Sequence, residues 1–220
     1  MRTPDPTLRF DSLQQGLEAA GFVILDVISN GDQTDMAIGS AGRPFWDAVS
    51  QSREWIEQHD NPIDQYTARL INQLLRADQG ESAIYPFDSD APNFVQLWPA
   101  TFPKIAASQL GPMIHPDFGL WMAARAHIIL PQACLTFDDT KSFSPCESCR
   151  DKPCLSACPV NAFSASKPYN HLACAAYLKT DPACFSGGCD ARAACPHGQS
   201  WQLPEDQARY HQTRFRTTFA

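Results

Sequence analysis

The sequence has no long apolar run and few charged residues, and each shortage excludes a class of protein. No apolar stretch reaches the roughly 20 residues that a membrane-spanning helix needs, and the first ten residues, MRTPDPTLRF, lack the apolar centre of a secretory signal peptide. We therefore expect a cytoplasmic protein with no membrane partner. Only 19% of the residues are charged and the net charge is -7. Because nucleic-acid binding depends on clustered Lys and Arg, nucleic acid is not an expected partner.

Cysteine, by contrast, is abundant. The chain has nine cysteines, and disulfides do not explain them because the cytosol keeps thiols reduced. Cys134 stands apart in the apolar segment HIILPQACLTF, where we expect a small buried side chain. The other eight lie between residues 146 and 195. Their concentration predicts metal binding.

The eight clustered cysteines form two groups of four, and each group ends in Cys-Pro. The first group reads C-x2-C-x4-C-x3-C-P, and the second has wider spacings of nine, four and five residues. A cubane iron-sulfur cluster needs one thiolate for each iron, and in two-cluster ferredoxins the cysteine before proline ligates the cluster of the opposite loop. We therefore assign two 4Fe-4S clusters with crossed ligands. The first set is Cys146, Cys149, Cys154 and Cys195, and the second is Cys158, Cys174, Cys184 and Cys189.

A pair of zinc sites is the alternative, because zinc binds four thiolates in the same tetrahedral geometry. Zinc sites usually show two separate C-x2-C knuckles. This chain has one C-x2-C and two Cys-Pro endings, a pattern that favours iron-sulfur clusters over zinc.

The first 140 residues show alternating helix and strand signals, which predict an α+β fold in two parts. Residues 1–140 form an α/β layer domain, and residues 141–220 form the cysteine-rich module with a C-terminal helix. We predict strands at FVILDVI, MAIG, SAIYPFD and LWMAARAHIILP, the last of them central in the sheet. We predict helices around Leu13 and Leu17, from Pro44, from Pro62, over FPKIAASQLG and over PEDQARYHQTRFRTTFA.

Three features of the first part invite a chemical interpretation. A GSAG turn at a helix start either holds a phosphate on its N-H groups or is a plain connection. His115 is interpreted as a hydrogen-bonded loop residue. Arg125 lies in a predicted apolar strand, where its guanidinium needs a partner, either a structural carboxylate or an anionic ligand.

Two stretches resemble known families. Residues 143 to 200, including the CAAYL stretch, resemble the dicluster ferredoxin-like module of epoxyqueuosine reductase, a cobalamin-dependent enzyme of tRNA modification. The stretch GPMIHPDFGLWMAARAHIILP, with a weaker match in NPIDQYTARL, resembles the cobalamin-processing CblC family, also called MMACHC. The second resemblance implies a nitroreductase-like fold for residues 10 to 135.

The resemblance to the CblC family also implies a cofactor site. That family binds cobalamin with its lower base detached and uses glutathione or reduced flavin to remove the upper ligand. By resemblance, the cofactor-binding residues are Gly111, His115, Trp121 and Arg125. Trp121 would line the corrin pocket, and Arg125 would match an arginine that contacts glutathione.

Together these observations predict an iron-sulfur electron-transfer protein in which two 4Fe-4S clusters relay single electrons to a cobalamin in the N-terminal domain. Whether the chain is itself a cobalamin-linked reductase stays open at this point. The alternatives are a non-catalytic ferredoxin-type carrier that docks a partner enzyme, a reductase with FMN in place of cobalamin, and a tRNA-modifying reductase. The expected partners are a redox donor or acceptor protein and a corrinoid or glutathione-like small molecule.

Overall fold

The structure is a computed structural model that describes residues 6–133 and 143–219. The chain divides into two compact units. The first comprises the described residues of Met1–Ile105 and Ala123–Ser142, and the second those of Ala106–Met122 and Phe143–Ala220. Within the described ranges, no helix has the length and apolarity to cross a membrane. Cys134 lies outside them, so its burial stays a prediction.

A four-stranded sheet forms the centre of the first unit. Its strands are β1 (Val23–Asn30), β2 (Gln33–Ala41), β3 (Ser82–Ile84) and β6 (Met122–Leu130), and their order in the sheet is β1-β2-β6-β3. Strands β1 and β2 form an antiparallel hairpin, and the connecting Gly31 has φ +64°, a conformation that glycine adopts without strain. Strand β3 pairs antiparallel with β6. The apolar strand β6 is therefore interior, as its sequence predicts.

Five helices accompany this sheet. They are α1 (Pro6–Ala19), α2 (Gly42–Ser50), α3 (Arg53–Ile56), α4 (Pro62–Leu74) and α5 (Phe94–Thr101). Their apolar positions bury fully at Leu13, Leu17, Phe45 and Ile71, with the spacing of amphipathic helices. The predicted helices around Leu13 and from Pro62, and the predicted strands at FVILDVI and LWMAARAHIILP, are thus confirmed.

Two local predictions are wrong. GSAG is not a turn, because Gly39 to Ala41 continue strand β2. Gly39 is needed there for close packing, since a Cβ at this position would lie 2.6 Å from Leu25 Cδ1 and 3.0 Å from the Ala123 carbonyl oxygen. The helix predicted over FPKIAASQLG instead ends before it, at Thr101. Phe102 precedes Pro103 and takes an extended conformation, because the proline ring disfavours helical backbone in the preceding residue.

The second unit contains a short two-stranded sheet and six helices. The strands are β4 (Ala106–Ala107) and β5 (Met113–Ile114), which pair antiparallel. The helices are α6 (Pro145–Ser148), α7 (Pro153–Ser156), α8 (His171–Leu178), α9 (Ala183–Gly187), α10 (Asp190–Ala193) and α11 (Glu205–Phe219). The predicted C-terminal helix is therefore confirmed as α11.

The unit boundaries differ from the predicted domains in one segment. Residues 106–122, which the sequence analysis placed in the N-terminal domain, belong to the second unit. Leu110, Ile114 and Leu120 of this segment share a buried core with the cysteine-rich part of the chain, and that apolar burial accounts for the division. The chain is a mixture of helices and strands, as predicted; the nitroreductase-like layering of the first part stays a prediction.

Candidate functional site

Four cysteines from distant parts of the second unit line one small cavity of about 20 Å³, which we call site A. They are Cys146, Cys149, Cys154 and Cys195. Prolines 145, 153 and 196 also contribute to the lining. All four thiols are free. Site A therefore gathers sulfur donors in a pocket with apolar walls.

The local backbone explains how three of these cysteines converge. Helices α6 and α7 are single turns, and each begins with a proline, which suits the first helical position because it has no N-H to leave unpaired. Lys152, between them, has φ +40° and ψ +56°. This left-handed residue reverses the chain within the four residues that separate Cys149 from Cys154. The four residues between Cys149 and Cys154 thus include the start of a helix. The corresponding spacing of two residues in bacterial ferredoxins is too short to include one.

A second cavity of about 20 Å³, which we call site B, is lined by the other four cysteines. They are Cys158, Cys174, Cys184 and Cys189. Cys174 lies on α8, whose start is capped by the Asn170 side chain, which accepts a hydrogen bond from Ala173 N at 3.0 Å. Cys184 lies on α9. Cys189 directly precedes α10. The wider spacings of the second group therefore correspond to three separate helices around one cavity.

The two groups exchange their last cysteines. Cys158 ends the first group in sequence but lines site B together with Pro159, and Cys195 ends the second group but lines site A together with Pro196. The structure thus brings together the same two sets of four that the Cys-Pro rule predicts. Their assignment as cluster ligands is a proposal, taken up below.

Electrostatic interactions follow the same grouping. Burial raises the pKa of the Cys154 thiol, and Cys195, Cys146 and Cys149 raise it further. Burial likewise raises the pKa of Cys184 to about 11, with further contributions from Asp190 and from the other three cysteines of site B. Four thiolates in one buried site repel one another, so the thiolate form needs a compensating cation. A cationic metal centre supplies one, because metal coordination deprotonates thiols.

Backbone amides also approach the sulfurs. Ala162 N donates to Cys158 Sγ at 3.4 Å, and the amides of Arg192 and Ala191 lower the pKa of Cys189 by hydrogen bonding, against the larger effect of burial. The amide of His197 acts in the same way on Cys195. Amide-to-sulfur hydrogen bonds stabilise thiolates and tune the potential of iron-sulfur centres. The donor sets of both sites therefore fit a 4Fe-4S cluster.

Within residues 6–133 and 143–219, no group of three or more His, Cys, Asp or Glu side chains could hold a single metal ion. The cysteines instead line two cavities, four to each cavity, and these cavities are the candidate cluster sites.

A close backbone contact holds the segment that carries Cys195. Gly198 has φ +71° and ψ +25°, and a Cβ there would lie 2.5 Å from Gly119 N. A Cβ on Gly119 would collide in turn with the His197 carbonyl. The glycine pair therefore lets the loop after Cys195 lie directly against the loop before Leu120. No sequence pattern indicated this contact, although Gly198 lies only three residues after the proposed ligand Cys195.

Arg192 lies on α10, between Cys189 of site B and Cys195 of site A. No sequence pattern indicated a role for it. Its Nε donates to the Leu120 carbonyl at 2.8 Å, and its guanidinium lies 4.6 Å from the centroid of the Trp121 ring. Burial lowers its pKa to about 10, while the charge of Cys189 acts in the opposite direction. No carboxylate of the described chain forms an ion pair with it. Arg192 is thus a desolvated cation whose electrostatic partner is a site B cysteine.

The residues predicted to bind a second cofactor are divided between the units. Gly111, His115 and Trp121 belong to the second unit and Arg125 to the first. His115 is buried, with its Nδ1 accepting from Asp117 N at 3.2 Å, so its predicted hydrogen bonding is confirmed. Trp121 is buried under Arg192. Gly111 has φ +98° and makes a turn before β5.

Arg125 is half-buried on β6. Its Nε donates to Ser40 Oγ at 2.9 Å, and its guanidinium lies 5.0 Å from the centroid of the Phe45 ring. A hydroxyl and an aromatic ring therefore hold the side chain. These contacts do not decide whether Arg125 also binds a structural carboxylate or an anionic ligand.

Comparison with solved structures finds a likeness to an enzyme. The chain is similar to a crystal structure of selenomethionine-labelled epoxyqueuosine reductase, with a TM-score of 0.47 and 12% sequence identity over 91% of this chain and 69% of that chain. No protein-family model matches the chain, and no curated protein sequence matches it. At this TM-score and identity the likeness assigns no function. The resemblance to the CblC family is not confirmed by these comparisons.

Proposed function

We propose that the chain is an electron-transfer protein that holds two 4Fe-4S clusters, one in site A and one in site B. The observation that carries the proposal is the exchange of Cys158 and Cys195 between the two groups of four. Crossed ligation through the cysteine before proline is the signature of two-cluster ferredoxin modules. A 4Fe-4S cluster, when bound, accepts and releases single electrons.

The pattern of the cysteines supports iron-sulfur over zinc. Zinc sites with four cysteines usually show two separate C-x2-C knuckles, whereas this chain has one C-x2-C and two Cys-Pro endings. The protein's own contribution is ligation by eight thiolates, exclusion of water by apolar walls, and hydrogen bonds from Ala162, Ala191, Arg192 and His197 amides to the sulfurs. These are the interactions by which proteins set cluster potentials.

A finer proposal concerns the acceptor. We propose that electrons pass to a corrinoid, on the ground that the stretch from Gly111 to Pro131 resembles the CblC family. Trp121 would then present only part of its ring to a corrin, because Arg192 already lies on the indole. A non-catalytic carrier that docks a partner enzyme is the second candidate, and it is favoured by the placement of all eight clustered cysteines within the second unit.

The charge distribution bears on the nucleic-acid alternative. The segments 106–122 and 143–220 contain eight Lys or Arg residues and seven Asp or Glu residues. The remaining residues therefore have a net charge of -8, and the negative charge of the whole chain says nothing about the cysteine-rich unit. Eight dispersed cations still fall short of a basic stripe, so we retain a redox protein and a small molecule as the proposed partners, in the cytoplasm.

The test is a metal and sulfide analysis of anaerobically purified protein. The proposal predicts about eight iron and eight acid-labile sulfide per chain. Zinc without sulfide would overturn it. Low-temperature EPR of the reduced protein with added cob(II)alamin then tests the acceptor: a cobalt spectrum without nitrogen splitting from the lower base supports the corrinoid proposal. An unaltered cobalamin spectrum favours the carrier, and a bound yellow flavin would favour FMN.

A further inference from the structure

An aromatic face covers one side of the second unit. It consists of Phe163, Tyr169, His171, Phe215 and Phe219. The Phe163 and Tyr169 rings stack at 4.6 Å with an interplanar angle of 4°. Phe215 lies 6.3 Å from Tyr169 and 4.9 Å from Phe219. His171 lies 5.0 Å from Phe219. The five rings therefore form one continuous set of contacts.

This aromatic face reaches site B at two cysteines. Phe215 packs against the buried cluster that contains Cys184, and Cys174 packs against the same cluster. Phe163 lines the site B cavity itself. The aromatic face therefore adjoins site B through Phe163 and Phe215.

The outer edge of the face is open to solvent. Tyr169 is 37% exposed, Phe219 44% and the neighbouring Leu172 62%. Single exposed apolar residues need no explanation, but several that adjoin a candidate redox site mark an interaction surface. Electron transfer between proteins requires a close approach to the centre, and this edge provides one.

The segments that form the face are basic. Residues 163–180 and 210–219 contain Lys167, Lys179, Arg214 and Arg216 and no Asp or Glu. The next residue, Asp181, forms an ion pair with Arg216 at 2.7 Å, so this pair adds no net charge and the positive charge of the segments comes from Lys167, Lys179 and Arg214. Lys167 and Lys179 are exposed. A positive apolar surface of this kind attracts a partner with an acidic surface, through complementary charge that raises the association rate.

We infer that an acidic one-electron carrier protein, of the flavodoxin or ferredoxin class, docks on the aromatic face and exchanges electrons with site B. The inference rests on the proposed function. In the step, the reduced carrier loses one electron, which the centre in site B gains, and no covalent bond or proton changes place. A carrier is favoured over RNA because Phe215 of the face packs in the same cluster as Cys174 and Cys184 of site B. RNA that only stacked its bases on the rings would not require this contact with site B.

The test is stopped-flow reduction of the cluster-loaded full chain by flavodoxin hydroquinone. The rate is measured from the loss of cluster absorbance. The variant Lys167→Glu/Lys179→Glu reverses two exposed charges of the face. The control Arg43→Glu/Arg53→Glu makes the same change in net charge at side chains of the first unit that are 65% exposed. We expect the face variant to react on the order of tenfold more slowly than the control at low ionic strength, and the difference to vanish at high salt.

A second variant, Leu172→Glu, places a negative charge at the most exposed apolar position of the region and should slow the same reaction. Dithionite, a small reductant that needs no docking surface, should reduce all variants at the wild-type rate. Equal rates with flavodoxin for the face and control variants would overturn the inference. The inference would also be overturned if the face variant lost saturable tRNA binding while flavodoxin reduced it at an unchanged rate, because the face would then bind RNA. Failure of dithionite to bleach wild-type protein would overturn the proposed function itself.

Discussion

Replacing Gly198 by alanine should remove the centre in site A while leaving site B loaded. Gly198 has left-handed backbone, with φ +71°, and an L-residue pays about 1–2 kcal/mol for that conformation. A Cβ would also lie 2.5 Å from Gly119 N, where ordinary contact begins at 3.4 Å. The two loops must therefore separate by about 1 Å, since neither contact atom belongs to a flexible side chain.

That displacement is large for a ligand segment. Gly198 follows Cys195 by three residues, and metal-ligand distances tolerate changes of only about 0.2 Å. We expect the iron content of Gly198→Ala to fall to half of the wild-type value, with the EPR signal of one centre lost. The assay is iron analysis and EPR after anaerobic reconstitution.

Gly31→Ala is the matched control. Gly31 has a similar φ of +64°, and nothing lies within 4 Å of the position a Cβ would take. The control should lose about 1–2 kcal/mol of unfolding free energy through backbone strain alone and keep its full iron content. Equal iron contents in the two variants would show that the close backbone contact between Gly198 and Gly119 is not needed to hold the centre in site A.

Two further predictions concern charged side chains. Arg192→Met removes a desolvated cation that interacts with Cys189. In a spectroelectrochemical titration, the reduction potential of the site B centre should therefore fall by on the order of 1 kcal/mol, roughly 40 mV. Arg192→Lys keeps the charge and should therefore keep most of the wild-type potential. In the first unit, a hydrogen bond from Arg69 holds the pKa of Glu54 at about 2, below its ordinary 4.5. Glu54→Gln should therefore lower the unfolding free energy by about 2 kcal/mol at pH 7. Unfolding can be measured by the fluorescence of Trp46 and Trp55, whose rings contact each other.

The sign of the pH dependence follows from the lowered pKa. Stability that depends on ionised Glu54 is fully present above pH 4.5 and is lost as the pH falls towards 2. The difference between wild type and Glu54→Gln should shrink over that interval. A constant difference would contradict the role given to this carboxylate, and an unchanged potential in Arg192→Met would contradict the one given to Arg192.

The grouping of the cysteines was predictable because it depends on a local rule. A proline after the last cysteine of each group indicates which thiol crosses to the other site, and the structure places Cys158 and Cys195 accordingly. Helices and strands with strong periodicity were predictable for the same reason, since their patterns repeat within about ten residues.

Features that depend on distant contacts were not predictable. The membership of residues 106–122 in the second unit follows from the burial of Leu110, Ile114 and Leu120 against residues more than 30 positions away, and no local pattern records it. The glycine of GSAG likewise signals a turn in isolation, but Gly39 serves close packing against Leu25 in the sheet. Arg192 was missed because its partners, Leu120 and Trp121, come from that same distant segment.

Three cysteine variants test the crossed ligation most directly, by low-temperature EPR and iron analysis. Cys154 and Cys158 are four residues apart in sequence, yet they line different cavities, and Cys158 shares its cavity with Cys184. Crossed ligation predicts that Cys158→Ala loses the same centre as Cys184→Ala and keeps the one that Cys154→Ala loses. If Cys158→Ala instead matched Cys154→Ala, or if all three kept both centres, the crossed two-cluster assignment would be contradicted.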